Sequence, residues 1–140
     1  MNMKDWFFDR AHVLAVVDKD KLKPLRKAGG SIRLTAQRSM RRRKKGFSQP
    51  GQPPFSKQGL IRDFTFFAYD KDSDSVVVGP VGFKRAIVPA LHEFGGSQTV
   101  YHKGKSEVAK YPKRPYMKPA LDKNINKIPE AFQDFISTSR

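Results

Sequence analysis

The chain contains no cysteine, which excludes disulfides and thiolate metal sites and is compatible with assembly in a cytosolic compartment. No apolar run approaches the roughly 20 residues that span a bilayer, so no membrane partner is expected. The opening MNMKDWFFDR carries acids and no long apolar stretch, which is unlike a secretory signal. Histidine is scarce. His12, His92 and His102 stand apart without HxxxH or HExxH spacing, so neither a metal nor another cofactor is expected. Asp70, Asp72 and Asp74 alternate as in a calcium loop, but the glycine and distal glutamate of such a loop are missing, and a hairpin turn fits better. There is no GxGxxG or GxxxxGK(S/T) to cradle a phosphate and no GxSxG around a nucleophilic serine. Acid is also missing locally. Between Lys21 and Lys45 stand eleven cations and not one carboxylate.

What is present is positive charge, unevenly spread. The formal net charge is +15, and residues 1–47 hold 14 Lys/Arg against 4 Asp/Glu, whereas residues 48–95 balance at 5 and 5. A one-sided block of this kind favours an anionic partner, nucleic acid being the commonest. The plainer reading is a solvated face that aids solubility. A length of 140 residues suits one domain, 1–140, with a real apolar core.

From Asp20 to Lys45, Leu22, Leu25, Ala28/Gly29, Ile32, Ala36 and Met40 recur at spacings of three and four, which predicts an amphipathic helix about 39 Å long. Pro24 is tolerable in its first turn. Gly29-Gly30 in mid-pattern costs about 2 kcal/mol against two alanines, so either the helix breaks there or something packs too closely for a side chain. The opposite face carries Lys23, Lys27, Arg33, Gln37, Arg38 and Arg41, and the run Arg41, Arg42, Arg43, Lys44, Lys45 follows. Upstream, Phe7-Phe8 and His12–Val17 suggest a short first helix after an Asp9 cap.

Beyond the basic run, Pro50-Gly-Gln-Pro-Pro54 can neither continue a helix nor supply donors for a central strand, so residues 48–58 are an ordered turn or an extended arm. Asp63–Tyr69 and Ser75–Val78 then read as a hairpin around the polar turn Asp70–Asp74. Phe64, Phe66 and Ala68 share one face and Thr65, Phe67 and Tyr69 the other, so both faces call for cover, by a helix and by a neighbouring subunit. Val88–Gly95 predicts one or two helical turns, with Pro89 near the start and Gly95 as the stop. A second hairpin, Thr99–His102 with Glu107–Lys110, turns at Lys103-Gly104. A last helix presents Met117, Leu121, Ile125 and Ile128, is interrupted at Pro129, and ends with Phe132, Phe135 and Ile136. Helix, hairpin, hairpin, helix is an α+β pattern, with terminal helices packed on a small antiparallel sheet.

Two chemistries remain open from the residues alone. Arg41–Lys45 can contact phosphates in a salt-dependent way without reading bases, or it can be a solvated helix end favoured by the dipole. Tyr101-His102-Lys103 is the one set that a small basic ribonuclease would use, and it is equally explained as alternating faces of a strand.

Three segments carry a resemblance. They are Pro50-Gly51-x-Pro53-Pro54, with Phe55 and then Gly59-Leu60-Ile61-Arg62; Val78-Gly79-Pro80, followed by His92-Glu93-Phe94-Gly95-Gly96; and Arg114-Pro115-Tyr-Met-Lys-Pro119-Ala120-Leu121. In this order they resemble the neck, or tail-completion, family of head–tail joining proteins in tailed bacteriophages. That pattern has a basic helix, PGxPP, a G-L-x-R strand, VGP, an E-F/Y-G-G/T turn, and RP-F/Y-M-x-PAL opening the last helix. The resemblance covers about Phe7 to Phe135. It implies a virion structural protein without catalytic residues or cofactors, assembled in the host bacterial cytoplasm as a homo-oligomeric ring or collar. The implied partners are the head–tail connector and the tail tube or terminator proteins. Under it, Pro50–Phe55 would reach a neighbouring subunit or the connector, Gly59-Leu60 would turn the chain into the sheet, and Arg62 would sit at its entry. The cationic helix, with Arg33, Arg38 and Arg41–Lys45, would face double-stranded DNA in the channel or an acidic partner ring.

Overall fold

The computed structural model describes residues 21–43, 45–55, 58–83 and 87–138, apart from the side chains at 87 and 135–138. The helix expected around Phe7–Val17, Lys44, and the side chains of Phe135 and Ile136 lie outside these residues. In chain order the elements are α1 (Leu22–Ser39), α2 (Leu60–Asp63), β1 (Thr65–Asp70), β2 (Ser75–Pro80), α3 (Ile87–Phe94), β3 (Gly96–His102), β4 (Lys105–Tyr111), α4 (Met117–Asn124) and α5 (Lys127–Thr138). This is an α+β fold in which the two antiparallel hairpins form separate two-stranded sheets.

Helix α1 organises the rest. Leu25 and Ile32 are fully buried, and each contributes about 2 kcal/mol by leaving water. One side of α1 meets hairpin β1–β2, and another meets α4 and α5. The glycine pair does not break it. A Cβ on Gly29 would lie 2.5 Å from Val76 Cγ1 and 2.9 Å from Phe67 Cδ2, so the hairpin packs onto bare helix backbone. Close approach is therefore the reason for that glycine. The helix is shorter than the expected Asp20–Lys45, because Met40 turns to extended backbone at φ −87°, ψ 112°. Continuing it would stack Arg38, Arg41, Arg42 and Lys45 along one face, and like charges at that spacing repel. The Ser39 hydroxyl meanwhile donates to the Ala36 carbonyl at 2.7 Å, competing with the helical pattern.

The strand expected from Asp63 begins at Thr65 instead. Gly59-Leu60, expected to turn the chain into the sheet, does so as the start of a single helical turn after Gly59 at φ +71°, where the resembling pattern has a strand. Its last donors close helically, from Asp63 N to Gly59 O at 2.9 Å and from Phe64 N to Leu60 O at 2.9 Å. Thr65 locks the exit, its hydroxyl donating to the Ile61 carbonyl at 2.6 Å. Thr65, Phe67 and Tyr69 then face α1 with Val78 and Val76 opposite, while Phe64 and Phe66 remain 46% and 43% exposed.

Helix α3 and its Gly95 stop stand as the spacing predicts, with Gly95 N donating to Leu91 O at 2.8 Å. The second hairpin is longer than its sequence pattern, running from Gly96 to Tyr111 around Lys103 and Gly104 at φ 50° and 78°, a two-residue turn with both residues left-handed. It contacts mainly itself and is exposed along most of both faces, with Tyr101 80% and Val108 62% accessible. The last helix divides at Ile125-Asn126, upstream of Pro129, which occupies the first turn of α5 where its missing N–H is harmless. Consequently Ile125 is half exposed, and Asn124 is buried in its place, donating to Thr35 Oγ1 at 2.9 Å across to α1.

Candidate functional site

The motif segments, far apart in the chain, meet in space. Glu93 at the end of α3 is 4% exposed, and its carboxylate accepts from Tyr116 N at 2.8 Å, Met117 N at 3.0 Å and Lys118 N at 2.9 Å. It thus caps α4, whose own N-cap residue, Tyr116, makes no side-chain capping bond, and an anion at a helix N-terminus also complements the dipole. One residue earlier, the His92 carbonyl accepts from Arg114 N at 2.6 Å. Gly95 is required next, because its φ is +71° and a Cβ there would lie 3.0 Å from Lys113 N and 3.1 Å from Tyr111 O. The EFGG turn and the RPYM segment are therefore one joint.

The proline segment closes onto the same joint. Gln49–Gln52 form a β-turn with Pro50 second and Gly51 third at φ +83°, closed by Gln52 N to Gln49 O at 3.1 Å. Gly51 N donates to Lys113 O at 2.7 Å, and Arg114 Nε donates to Ser48 O at 3.0 Å. Pro54 is buried and Pro53 and Phe55 are half-buried, while Pro50 and Gly51 stay exposed. Of the ordered turn or extended arm expected for this segment, the described residues show the turn, folded back on its own chain.

Between this joint and the end of α1 lies a groove of about 170 Å³. It gathers residues from three expected groups, Arg41 and Arg42, Pro54 and Phe55, and Gly59, Leu60 and Arg62, together with His92. Met40, Pro54, Gly59 and Ile61 are its buried lining, and Phe83 and Val88 complete it. Arg42 ion-pairs with Asp63, and its side chain fills the space a Cβ on Gly59 would need. Arg43 lies 4.6 Å from the Phe55 ring centre, a cation–π contact that steadies the basic run against the proline segment. His92 Nδ1 is buried and makes no hydrogen bond with the protein. Burial, and then the nearby Arg114 charge, hold the His92 pKa below its ordinary value, so its ring is neutral at pH 7.

Other expected residues lie elsewhere. Arg33 does not face outward with the cationic stripe: its Nε donates to the Thr65 carbonyl at 2.9 Å and its guanidinium sits 5.2 Å from the Phe66 ring centre. Gln37 likewise turns inward, donating to the carbonyls of Arg62 and Thr65. Lys23, Lys27, Arg38, Arg41, Arg42, Arg43 and Lys45 are exposed. Gly79 and Pro80 end β2. Pro115 and Pro119 are half-buried, and Ala120 and Leu121 are buried on α4, which packs on α1. Phe94 is half exposed. Tyr101, His102 and Lys103, the ribonuclease set, are exposed at the tip of the second hairpin. A second hollow between α1 and α5 is lined by cations and carboxylates together, including Lys27, Lys127, Glu130 and Asp134, and it holds none of the motif residues.

Sequence reasoning did not assign roles to His92, Phe83 or Val88 in the groove, nor the capping role of Glu93. The only local signal was the glutamate placed just before a glycine stop. Among the described residues, no group of three or more His, Asp or Glu side chains could hold a metal ion, and no helix is long and apolar enough to cross a membrane. The chain matches no family model, no curated protein and no solved structure.

Proposed function

We propose that this chain is a structural protein of the neck of a tailed bacteriophage, one that completes the tail and joins it to the DNA-filled head as part of a ring around the channel. The reading comes from the resemblance of the ordered motifs, and one observation carries it further. Glu93, Gly95, Arg114, Ser48 and Gly51 all act as ties between segments. Motif residues that tie a scaffold together suit a particle component, whereas an enzyme's motifs would converge on reacting groups. Copies of the same chain, the connector and the tail tube or terminator proteins are the partners of this reading. The half-exposed Phe64 and Phe66 and the two-sided hairpin β3–β4 are surfaces that a neighbouring subunit would cover.

A second reading, a non-specific nucleic-acid-binding protein, is favoured by the exposed Lys23, Lys27, Arg38 and Arg41. Electron microscopy of particles made after disruption of the gene separates the two. Filled heads and free tails that join when the protein is supplied are expected. Normally joined virions would overturn the neck assignment, and steeply salt-dependent binding to random duplex DNA would then favour the second reading.

A further inference from the structure

The groove at the end of α1 combines features that limit what can fill it. Its volume, about 170 Å³, is close to the roughly 150 Å³ that accommodates one benzene ring, so it suits a single aromatic side chain rather than a helix or a long peptide. Most of its lining is apolar, and Leu60 and Val88, 44% and 49% exposed, leave it open to an incoming group. Among the described residues its charged lining is of one sign, with Arg41, Arg42 and Arg62 and no carboxylate. The adjoining chain adds Arg43 and Lys45, and the nearest acid that the structure pairs here, Asp63, is bound to Arg42. The His92 ring adds to the wall of the groove.

We infer that this groove is a docking point for an acidic segment of a partner protein, taking one aromatic side chain into the pocket while carboxylates on either side meet Arg41 and Arg62. The inference rests on the reading that this chain works by joining other proteins, but not on which particle it joins. The apolar contact supplies affinity, and the guanidiniums supply selection: a basic segment carrying the same ring would bring like charges together. The arrangement also accounts for the basic run leaving α1. After Met40 the chain is extended, and Arg41 and Arg42 line the groove.

The test uses the full ¹⁵N-labelled chain in NMR titrations with synthetic acidic pentapeptides that differ only at the centre, phenylalanine or alanine, and with a lysine-flanked phenylalanine peptide. The acidic phenylalanine peptide is expected to shift the amides of Arg42, Leu60, Arg62, Val88 and His92, and to bind roughly tenfold or more tightly than its alanine counterpart. The lysine-flanked peptide should leave those amides unmoved. Val88→Trp, which fills the groove, and separately Arg41→Glu with Arg62→Glu should each abolish the shifts, the spectrum itself reporting that each variant is folded. Equal binding of the phenylalanine and alanine peptides, equal binding of the basic peptide, shifts confined to other surfaces, or none at millimolar peptide would each overturn the inference. So would groove shifts that grow with protein concentration alone, which would assign the groove to a second copy of this chain. Failure here leaves the particle-joining phenotype to stand or fall by microscopy.

Discussion

Adjacent glycines in α1 carry opposite consequences. Alanine at either position gains about 1 kcal/mol in helix propensity. At Gly29 the new Cβ would collide with Val76 and Phe67, and overpacking of this kind costs about 1–3 kcal/mol. At Gly30 the nearest atom, Phe67 Cε1, is 3.9 Å away, an ordinary contact. Gly30→Ala should therefore raise the denaturation midpoint and Gly29→Ala should lower it, and equal shifts in chemical denaturation would refute the packing account. His92 gives a pH-dependent counterpart. Its pKa in the folded chain is depressed from the ordinary 6.5, so the unfolded chain binds the proton more readily. The stability this ring contributes is present above pH 6.5 and is lost as pH falls below it. Thermal melts between pH 7 and pH 5 should show a steeper loss for the native chain than for His92→Gln, and parallel curves would show that the ring is solvated in the folded state.

Elements here are tied as much by single polar groups as by apolar area. Helix α4 begins where Glu93 satisfies three backbone N–H groups, and removing the carboxylate leaves those donors without their acceptor. Glu93→Ala should cost about 2–4 kcal/mol, with Glu93→Gln losing less, as measured by urea unfolding. A neutral result would mean that water replaces the cap without penalty. The β3–β4 hairpin lies at the other extreme. Exposed along most of both faces, it adds little to the core, and a hairpin of two strands is marginal alone. Replacing residues 98–109 by a two-residue turn should leave the melting temperature within a few degrees while abolishing particle joining. A collapse of the melting temperature would make the hairpin part of the core. The proline segment contrasts with it: with Pro54 buried and Gly51 and Ser48 bonded to Lys113 and Arg114, it belongs to the fold and does not extend from it.

For the whole molecule, +15 charges on 140 residues need a counterpart, and their placement concentrates the effect. Of the described basic residues after α1, all of which are exposed, Arg42 pairs with Asp63 and Arg43 lies over the Phe55 ring. Changing Arg41, Arg43 and Lys45 to Gln should weaken joining most at low salt and little at high salt, because screening already suppresses the attraction there. Joining in vitro of purified heads and tails at graded ionic strength measures this, and a loss that is independent of salt would assign these residues to packing.

The α+β class, the hairpin turns, the α3 stop and the amphipathic stripe of α1 were legible in the sequence because each rests on local chemistry. Apolar periodicity, paired turn residues and prolines signal through neighbours in the chain. Pro24, Pro89, Pro119 and Pro129 each stand third in a helix, where the missing N–H is not needed. The tertiary structure decided the rest, because the deciding partners are distant in sequence. Glu93 finds its donors 23 to 25 residues on, Arg114 finds Ser48 66 residues back, and Gly29 owes its presence to Val76 on another element. The groove is of the same kind. Its residues lie on the end of α1, the proline segment, α2 and α3, and only packing those elements on one core brings the cations, the apolar walls and His92 to a single place.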